Sequence, residues 1–588
     1  MGVKSMSFVG KLGLLWFLFA QGLLLCMAQT TVHYYNFIVA ETSYTRMCTT
    51  QNLLTVNRAF PGPTITVTRG DTAIVKVLNN GEHPITIHWH GVKQHRNPWS
   101  DGPENITQTP IAGRGGSFTY TIIFSNEEGT LWWHAHSDWS RASVHGPIVV
   151  LPPNEKYPFR KPDHSQTIML GSWFKGRDLM AEYLEATRTG GDVDASDSFT
   201  INGWTGRLDL PNCTDVKYDI YTLKVDRGKT YQLRIINAAM NEEMFFAIAG
   251  HSFTVVGLDG AYIKHIPTNY IMITPGQTMD ILLTANQSSG SYYMGGSAFA
   301  DSNAPFFDHS TTRAILQYSD YKGTVITDLP DGLLATPDNR SYADAFTRKI
   351  RSLASADYPV DVPSDTDISK KFVITISVNE LPCDLPNGEA CTGPPVDGVP
   401  AMHSATLNNI HFQTKEIDIL RAYYCNISGV YTEDFPDRPE DFDYTGDTGD
   451  FEETPIVGTR VMSVEYGDAV EIVFQGTNVG NPENHPMHVH GYNFYLVGSD
   501  NGNFNSSSPA TFNLKDPAEV NTFGVPKKGW LAIRFWAKNP GVWFLHCHLE
   551  RHASWGMAGV IIVKSVRAGE PRMLPPPAGY PACPAQIK

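Results

Sequence analysis

The residues best suited to chemistry in this chain lie in one stretch, Gly541-Val-Trp-Phe-Leu-His-Cys-His-Leu-Glu-Arg-His-Ala-Ser-Trp-Gly-Met557. Cys547 sits between His546 and His548, and His552 and Met557 follow close behind. A thiolate with two imidazoles and a weak axial thioether is the donor set of an electron-transfer copper, because soft sulfur and imidazole together suit both Cu(I) and Cu(II). On an extended strand, alternate side chains share a face, so His546 and His548 point away from Cys547. They must serve something on the other face, and one short segment then joins two metal centres.

Three further segments carry paired histidines: His88-Trp-His90, His134-Ala-His136 and His485-Pro-Met-His488-Val-His490. A lone His-x-His reads as ordinary satisfied or exposed histidine. These pairs, however, are internally related. Gly129-Thr-Leu-Trp-Trp-His-Ala-His136 matches Gly541-Val-Trp-Phe-Leu-His-Cys-His548, with Ala135 in the cysteine's place. Ala247-Ile-Ala-Gly-His-Ser-Phe-Thr-Val-Val-Gly257 aligns without a gap on His488-Val-His-Gly-Tyr-Asn-Phe-Tyr-Leu-Val-Gly498, with Ala247 and Ala249 in the histidine slots. The chain thus reads as one β-sandwich unit repeated three times. The first keeps two histidine pairs, the second has lost its donors, and the third keeps both pairs and the thiolate. His485, Cys547, His552 and Met557 make a mononuclear site. The four remaining pairs suit a cluster between the first and last units, and the neighbouring thiolate selects a redox metal over zinc.

The elements that must hold these residues are strands. Gly70-Asp-Thr-Ala-Ile-Val-Lys-Val77, Gly228-Lys-Thr-Tyr-Gln-Leu-Arg-Ile235 and Gly467-Asp-Ala-Val-Glu-Ile-Val-Phe474 are each a turn followed by an alternating strand. Gly 50 and Pro 39 in 588 residues agree with many short strands in about three domains. A net charge of −15 argues against nucleic acid as a partner. Between the second and third units, Ser341 to Leu353 reads as a linker helix, with Ser341 and Asp344 as a capping box. The acidic stretch Glu433 to Glu453 reads as a solvated loop.

Lys4 and Lys11 before the apolar run Leu12 to Leu25, and Cys26-Met-Ala28 before Gln29, read as a secretion signal. The run is too short to span a bilayer and Gln21 interrupts it. Cys48, Cys213, Cys383, Cys391, Cys425 and Cys583 then remain for disulfides, with 15 connectivities open. Glycan acceptors at Asn105, Asn212, Asn286, Asn339, Asn426 and Asn505 fit the same oxidising export route.

These segments, together with Phe60-Pro-Gly-Pro-Thr64, His88-Trp-His-Gly-Val-Lys-Gln94 and Trp99-Ser-Asp-Gly-Pro103, resemble the four copper motifs of the multicopper oxidases, most closely the laccases of plants. The resemblance runs from about Val32 to the C-terminus. It implies an all-β fold of three consecutive cupredoxin-like Greek-key domains. These would span 29–155, 156–320 and 371–588, after a signal peptide at 1–28 and around a linker at 321–370, with the middle domain forming a substrate-pocket wall. It also implies four copper ions. Type 1 takes His485, Cys547 and His552 with Met557 axial, and type 2 takes His88 and His488. One type 3 ion takes His90, His134 and His548, and its partner takes His136, His490 and His546.

In such enzymes phenols lose single electrons at type 1, and O2 becomes two waters at the trinuclear group. A shallow pocket at an exposed edge of His552 would suffice for that transfer. Asp101 would help supply protons, and the product would be a secreted, N-glycosylated monomer of the apoplast. Asn241 stands where fungal laccases carry the acid that takes the phenol proton, beside Glu242 and Glu243. Glu550 reads either as a surface carboxylate or as a partner orienting a ligand histidine. Met557 replaces the non-ligating residue of many relatives and would lower the type 1 potential. Thr109 replaces a usual cysteine, which leaves Cys583 free or paired otherwise; Cys48–Cys213 and Cys383–Cys391 are the expected bridges. Ascorbate oxidases and metal-ion oxidases share the copper motifs. A non-catalytic cell-wall relative would lack ligands, and a simple electron carrier would need no eight-histidine cluster.

Overall fold

The computed structural model describes residues 30–206, 220–302, 306–323, 330, 332–385, 389–396, 398–446, 454–578, 580 and 583. The signal segment, Asn212, Cys213 and the acidic residues 447–453 lie outside the described residues.

Three β-sandwich units follow one another, and their inner sheets repeat the same spatial order. In the last unit the order is Val461–Glu465, Ala558–Lys564, Gly541–Cys547, His485–Val489 and Thr522–Val525. In the middle unit it is Tyr221–Val225, Thr311–Tyr318, Ser291–Phe299, Glu243–Ile248 and Tyr270–Ile273. The first unit has Ile65–Thr68, His145–Leu151, Gly129–Ala135 and Ile87–His90. The donor-free strand Glu243–Ile248 therefore holds the place of His485–Val489, as the gapless alignment of those segments requires.

Strand Thr72–Asn79 alternates as its sequence suggests, with Ala73, Val75 and Val77 turned into the first unit's core. Thr230–Asn237 and Ala469–Gly476 do not alternate in burial, since almost every residue in them is covered. The cause is the neighbouring unit. Arg234, on the would-be solvent face, is 1 % exposed and meets Thr130 of the first unit and Asp280. One apolar cluster runs through the second and third units from Ile168 to Val563, while the first keeps its own from Phe37 to Val150.

The linker helix differs from its sequence reading. It spans Arg340–Thr347, and its cap is Asn339, whose side chain accepts from Tyr342 N at 3.1 Å; Ser341 is already inside the helix. Asn339 supplies the acceptor nearest the free N–H groups, so the capping box is not formed. Ile350 and Leu353 lie beyond the helix end, although Phe346 and Ile350 are buried. Cys383 and Cys391 form a disulfide, and Cys583 bonds Cys425. Thr109 instead donates to Asp418. No helix among the described residues is long and apolar enough to cross a membrane.

Candidate metal centre

Pairing register brings the histidines together. His88 stands opposite His134 across one strand pair, and His488 opposite His546 across the equivalent pair of the last unit. The two pairs face each other across the boundary between units. The rings of His88 and His490 are 4.0 Å apart, and those of His90 and His488 stack at 3.9 Å. Donor atoms fall within 4.8 Å of one another in the sets His88/His90/His488, His90/His134/His548 and His136/His490/His546. All eight rings come from the two units that kept their histidine pairs.

Outer contacts set the tautomers. The Nδ1 atoms of His88, His134, His488 and His546 donate to the main-chain carbonyls of Asp101, Ala135, Asn521 and Cys547, at 2.7 to 2.8 Å. His490 Nδ1 donates to Asp101 Oδ2 at 2.9 Å. His90 is turned the other way, with Nε2 on Asn521 Oδ1 at 3.0 Å and Nδ1 facing His548 Nε2 at 3.2 Å. The inner nitrogens of these six rings therefore present lone pairs. His490 Nε2 and His136 Nε2 lie 3.2 and 3.3 Å from His546 Nε2, and the buried Nε2 atoms of His88, His134 and His488 have no hydrogen-bond partner. Burial first, then the neighbouring rings or Arg141, hold His90, His134, His136, His488, His490 and His548 well below the ordinary imidazole value. Neutral rings whose lone pairs converge fit a bound cation.

On the opposite face of the same strand, His485 Nδ1 and His552 Nδ1 are 3.2 Å apart, and Cys547 Sγ is 3.7 Å from the latter. Burial pushes the Cys547 thiol far up, so a cation is what would keep it a thiolate. Met557 is buried in the same core, and its carbonyl accepts from Cys547 N at 3.1 Å. The alternation read from the sequence holds. Cys547 faces one donor set while His546 and His548 face the other.

The expected exposed edge of His552 is not there. His552 is 1 % exposed, and Glu483 Oε1 covers its Nε2 at 3.2 Å. The helix Glu550–Ser554 that carries it receives its first acceptors from the middle unit: Glu550 N donates to Met240 O and Arg551 N to Asn241 Oδ1. Asn241 thus serves the helix end, and the cavity of about 30 Å³ beside it is lined by Glu242, Glu243, Phe306, Glu483 and Arg551. Glu550 touches no ligand histidine. It pairs with Arg141, whose Nη2 reaches His548 O at 3.3 Å, so it acts on that strand at one remove. Asp101 is more than a turn residue: it is wholly buried between His88 and His490.

Three groups escaped the sequence reading. Glu483, two residues before His485, had a signal in its position. Arg141 and the pair Asn521–Thr522 had none, because sheet pairing and unit docking alone bring them to the site.

Multicopper oxidase family models match residues 38–155, 164–321 and 434–567. The chain is 47% identical over 562 residues to laccase-14 of Arabidopsis thaliana, covering 95% of each. It is likewise 47% identical over 588 residues to putative laccase-9 of Oryza sativa subsp. japonica, covering 97% of this chain and 99% of the relative. Among solved structures, the laccase of Botrytis aclada superposes with a TM-score of 0.69 at 25% identity, over 91% of this chain and 88% of that one. Fet3p, a multicopper oxidase that functions in iron import, shares the fold with a TM-score of 0.68 at 22% identity, over 90% of each chain.

Proposed function

The chain belongs to the multicopper oxidases and, within them, to the laccases of plants; from this we propose that it takes electrons singly from phenols at the Cys547 site and passes them to O2 at the histidine cage. His485, Cys547, His552 and Met557 would hold one copper, and His88 and His488 a second. His90, His134 and His548 would hold a third, and His136, His490 and His546 a fourth. Bound there, four coppers supply one-electron oxidation of phenol at the first site and four-electron reduction of O2 to two waters at the other three.

The chain's own residues do the rest. The peptides of 546–548 join the two sites covalently, and His548 N is tied to Pro486 O at 2.7 Å. Glu483 stands between the outside and His552, so a phenolic O–H would hydrogen-bond to this carboxylate before its electron crosses to the ring. Asp101, which touches His88 and His490, would hold and hand on protons at the cage. Gly276 closes the cage from the middle unit. A Cβ there would lie 2.9 to 3.0 Å from atoms of His548 and His90, and φ is +94°, so only glycine brings this wall so near.

The substrates are phenols of the monolignol or p-diphenol class. The protein is a secreted monomer of the cell wall, N-glycosylated at acceptors of which Asn286, Asn426 and Asn505 are exposed. The three domains would span 29–155, 156–320 and 371–588, with a linker at 321–370.

One observation carries the reading: adjacent residues of a single strand face two different donor sets. The test is direct. Purified protein should be blue, contain four coppers, and consume O2 with a methoxyphenol. Cys547→Ser should lose colour and phenol oxidation together, and retained turnover would refute the role assigned to it. O2 uptake with ascorbate and none with phenols would move the assignment to an ascorbate oxidase.

A further inference from the structure

The middle unit has lost every donor, yet a buried carboxylate of it reaches the residues that surround the cage. Asp259 and Gly260 form the two-residue turn between Phe253–Leu258 and Ala261–Thr268, both with positive φ (48° and 73°). That is the hairpin geometry an Asp-Gly pair favours. The turn is wedged between the outer units, and Gly260 O accepts from Glu128 N of the first at 2.9 Å. The Asp259 carboxylate is 1 % exposed. Its Oδ1 accepts from Thr278 N at 2.9 Å, and its Oδ2 accepts from Asn521 N and Thr522 N of the last unit at 3.1 and 3.3 Å.

Asn521 and Thr522 are the groups that set two rings of the cage. Asn521 Oδ1 and Thr522 Oγ1 lie 3.0 and 2.9 Å from His90 Nε2. Asn521 O and Thr522 Oγ1 lie 2.8 and 3.0 Å from His488 Nδ1. Gln277, in the turn between Tyr270–Ile273 and Thr278–Thr284, also holds Thr522 O from the middle unit, at 2.9 Å.

We infer that Asp259 is a positioning residue of the histidine cage: by holding the 521–522 main chain it aims His90 Nδ1 and His488 Nε2 inward, one from each outer unit. This explains why a unit without ligands keeps a buried carboxylate facing the last unit. Such outer contacts change metal affinity about 10- to 100-fold when lost.

The inference rests on the copper reading above, and the test separates the two. Full-length wild-type, Asp259→Asn and Thr522→Val proteins, loaded with copper, are dialysed against a chelator. Total copper is followed by atomic absorption and the thiolate site by its blue band. Asn keeps the shape of Asp259 but turns a donor toward one of its N–H partners; Val keeps the shape of Thr522 without its hydroxyl. Both variants should release cage copper about 10- to 100-fold faster than wild type while the blue band persists. Asp259→Asn protein that retains copper as wild type does overturns the inference, whatever Thr522→Val does. So does loss of blue colour in step with cage copper, which would mean general loosening. Wild-type protein with no copper beyond the blue site would overturn the cage itself, and this inference with it.

Discussion

At the scale of single residues, the site is built from groups that are neutral or charged because of where they are buried. Glu243, in the wall of the small cavity near Glu483, shows the consequence outside the cage. Burial first, then the nearby Asp301, pushes its carboxyl up to about 8, against an ordinary 4.5. The folded chain therefore keeps a proton that the unfolded chain releases above about 4.5. Stability falls as pH rises through that window, by about 1.4 kcal/mol per pH unit at most, and levels off above about 8. Glu243→Gln cannot titrate. Its melting temperature should gain on wild type steadily between about pH 5 and 8, as calorimetry would show. Parallel curves would mean Glu243 is ionised throughout. Asn241 and Glu550, whose roles the sequence left open, and Glu483, which it did not single out, show why residue type alone is not enough. Each has the right chemistry for several tasks, and only its neighbours choose between capping a ring, ending a helix and pairing an arginine.

At the scale of elements, the helix Ile419–Cys425 ties the C-terminal tail to the site's outer wall. Asp418 caps it, accepting from Arg421 N at 2.7 Å, and also accepts from Tyr580 Oη at 3.0 Å. Leu574 O accepts from Trp99 Nε1 at 2.8 Å, just before the buried Asp101. The Cys425–Cys583 bridge locks this arrangement across 158 residues of chain. Cys583→Ser should cost about 2–5 kcal/mol, read as a lower denaturation midpoint that reducing agent also produces in wild type. An unchanged midpoint would show that the tail is held by its other contacts alone. That Cys583 pairs with Cys425 was beyond the sequence, because six cysteines carry no mark of their spatial neighbours.

At the scale of the whole molecule, three units act as one body around a few shared groups. Arg141 of the first unit is 2 % exposed; it pairs with Glu550 of the last at 2.7 Å and donates to Ala239 O and Met240 O of the middle unit. Removing Arg141 leaves Ala239 O and Met240 O without their donors and the partly exposed Glu550 without its partner, at a cost of about 1–3 kcal/mol. Arg141→Met should therefore lower the melting temperature and split the calorimetric transition, as units that melted together part. A single transition at the wild-type temperature would deny it this role.

The sequence by itself determined the chemistry and the repeat. Donor types, the alternation of a strand and the gapless alignment of the segments around 247 and 488 are local properties, fixed by period and composition. They were enough for the all-β class, the two donor sets and the loss of ligands from the middle unit. Only the tertiary structure decided what surrounds those donors: the Glu483 cover on His552, the Asp259 hold on the 521–522 turn, the Arg141 clamp. Those contacts join residues far apart in the chain, and they depend on how three sandwiches dock, which no local pattern encodes.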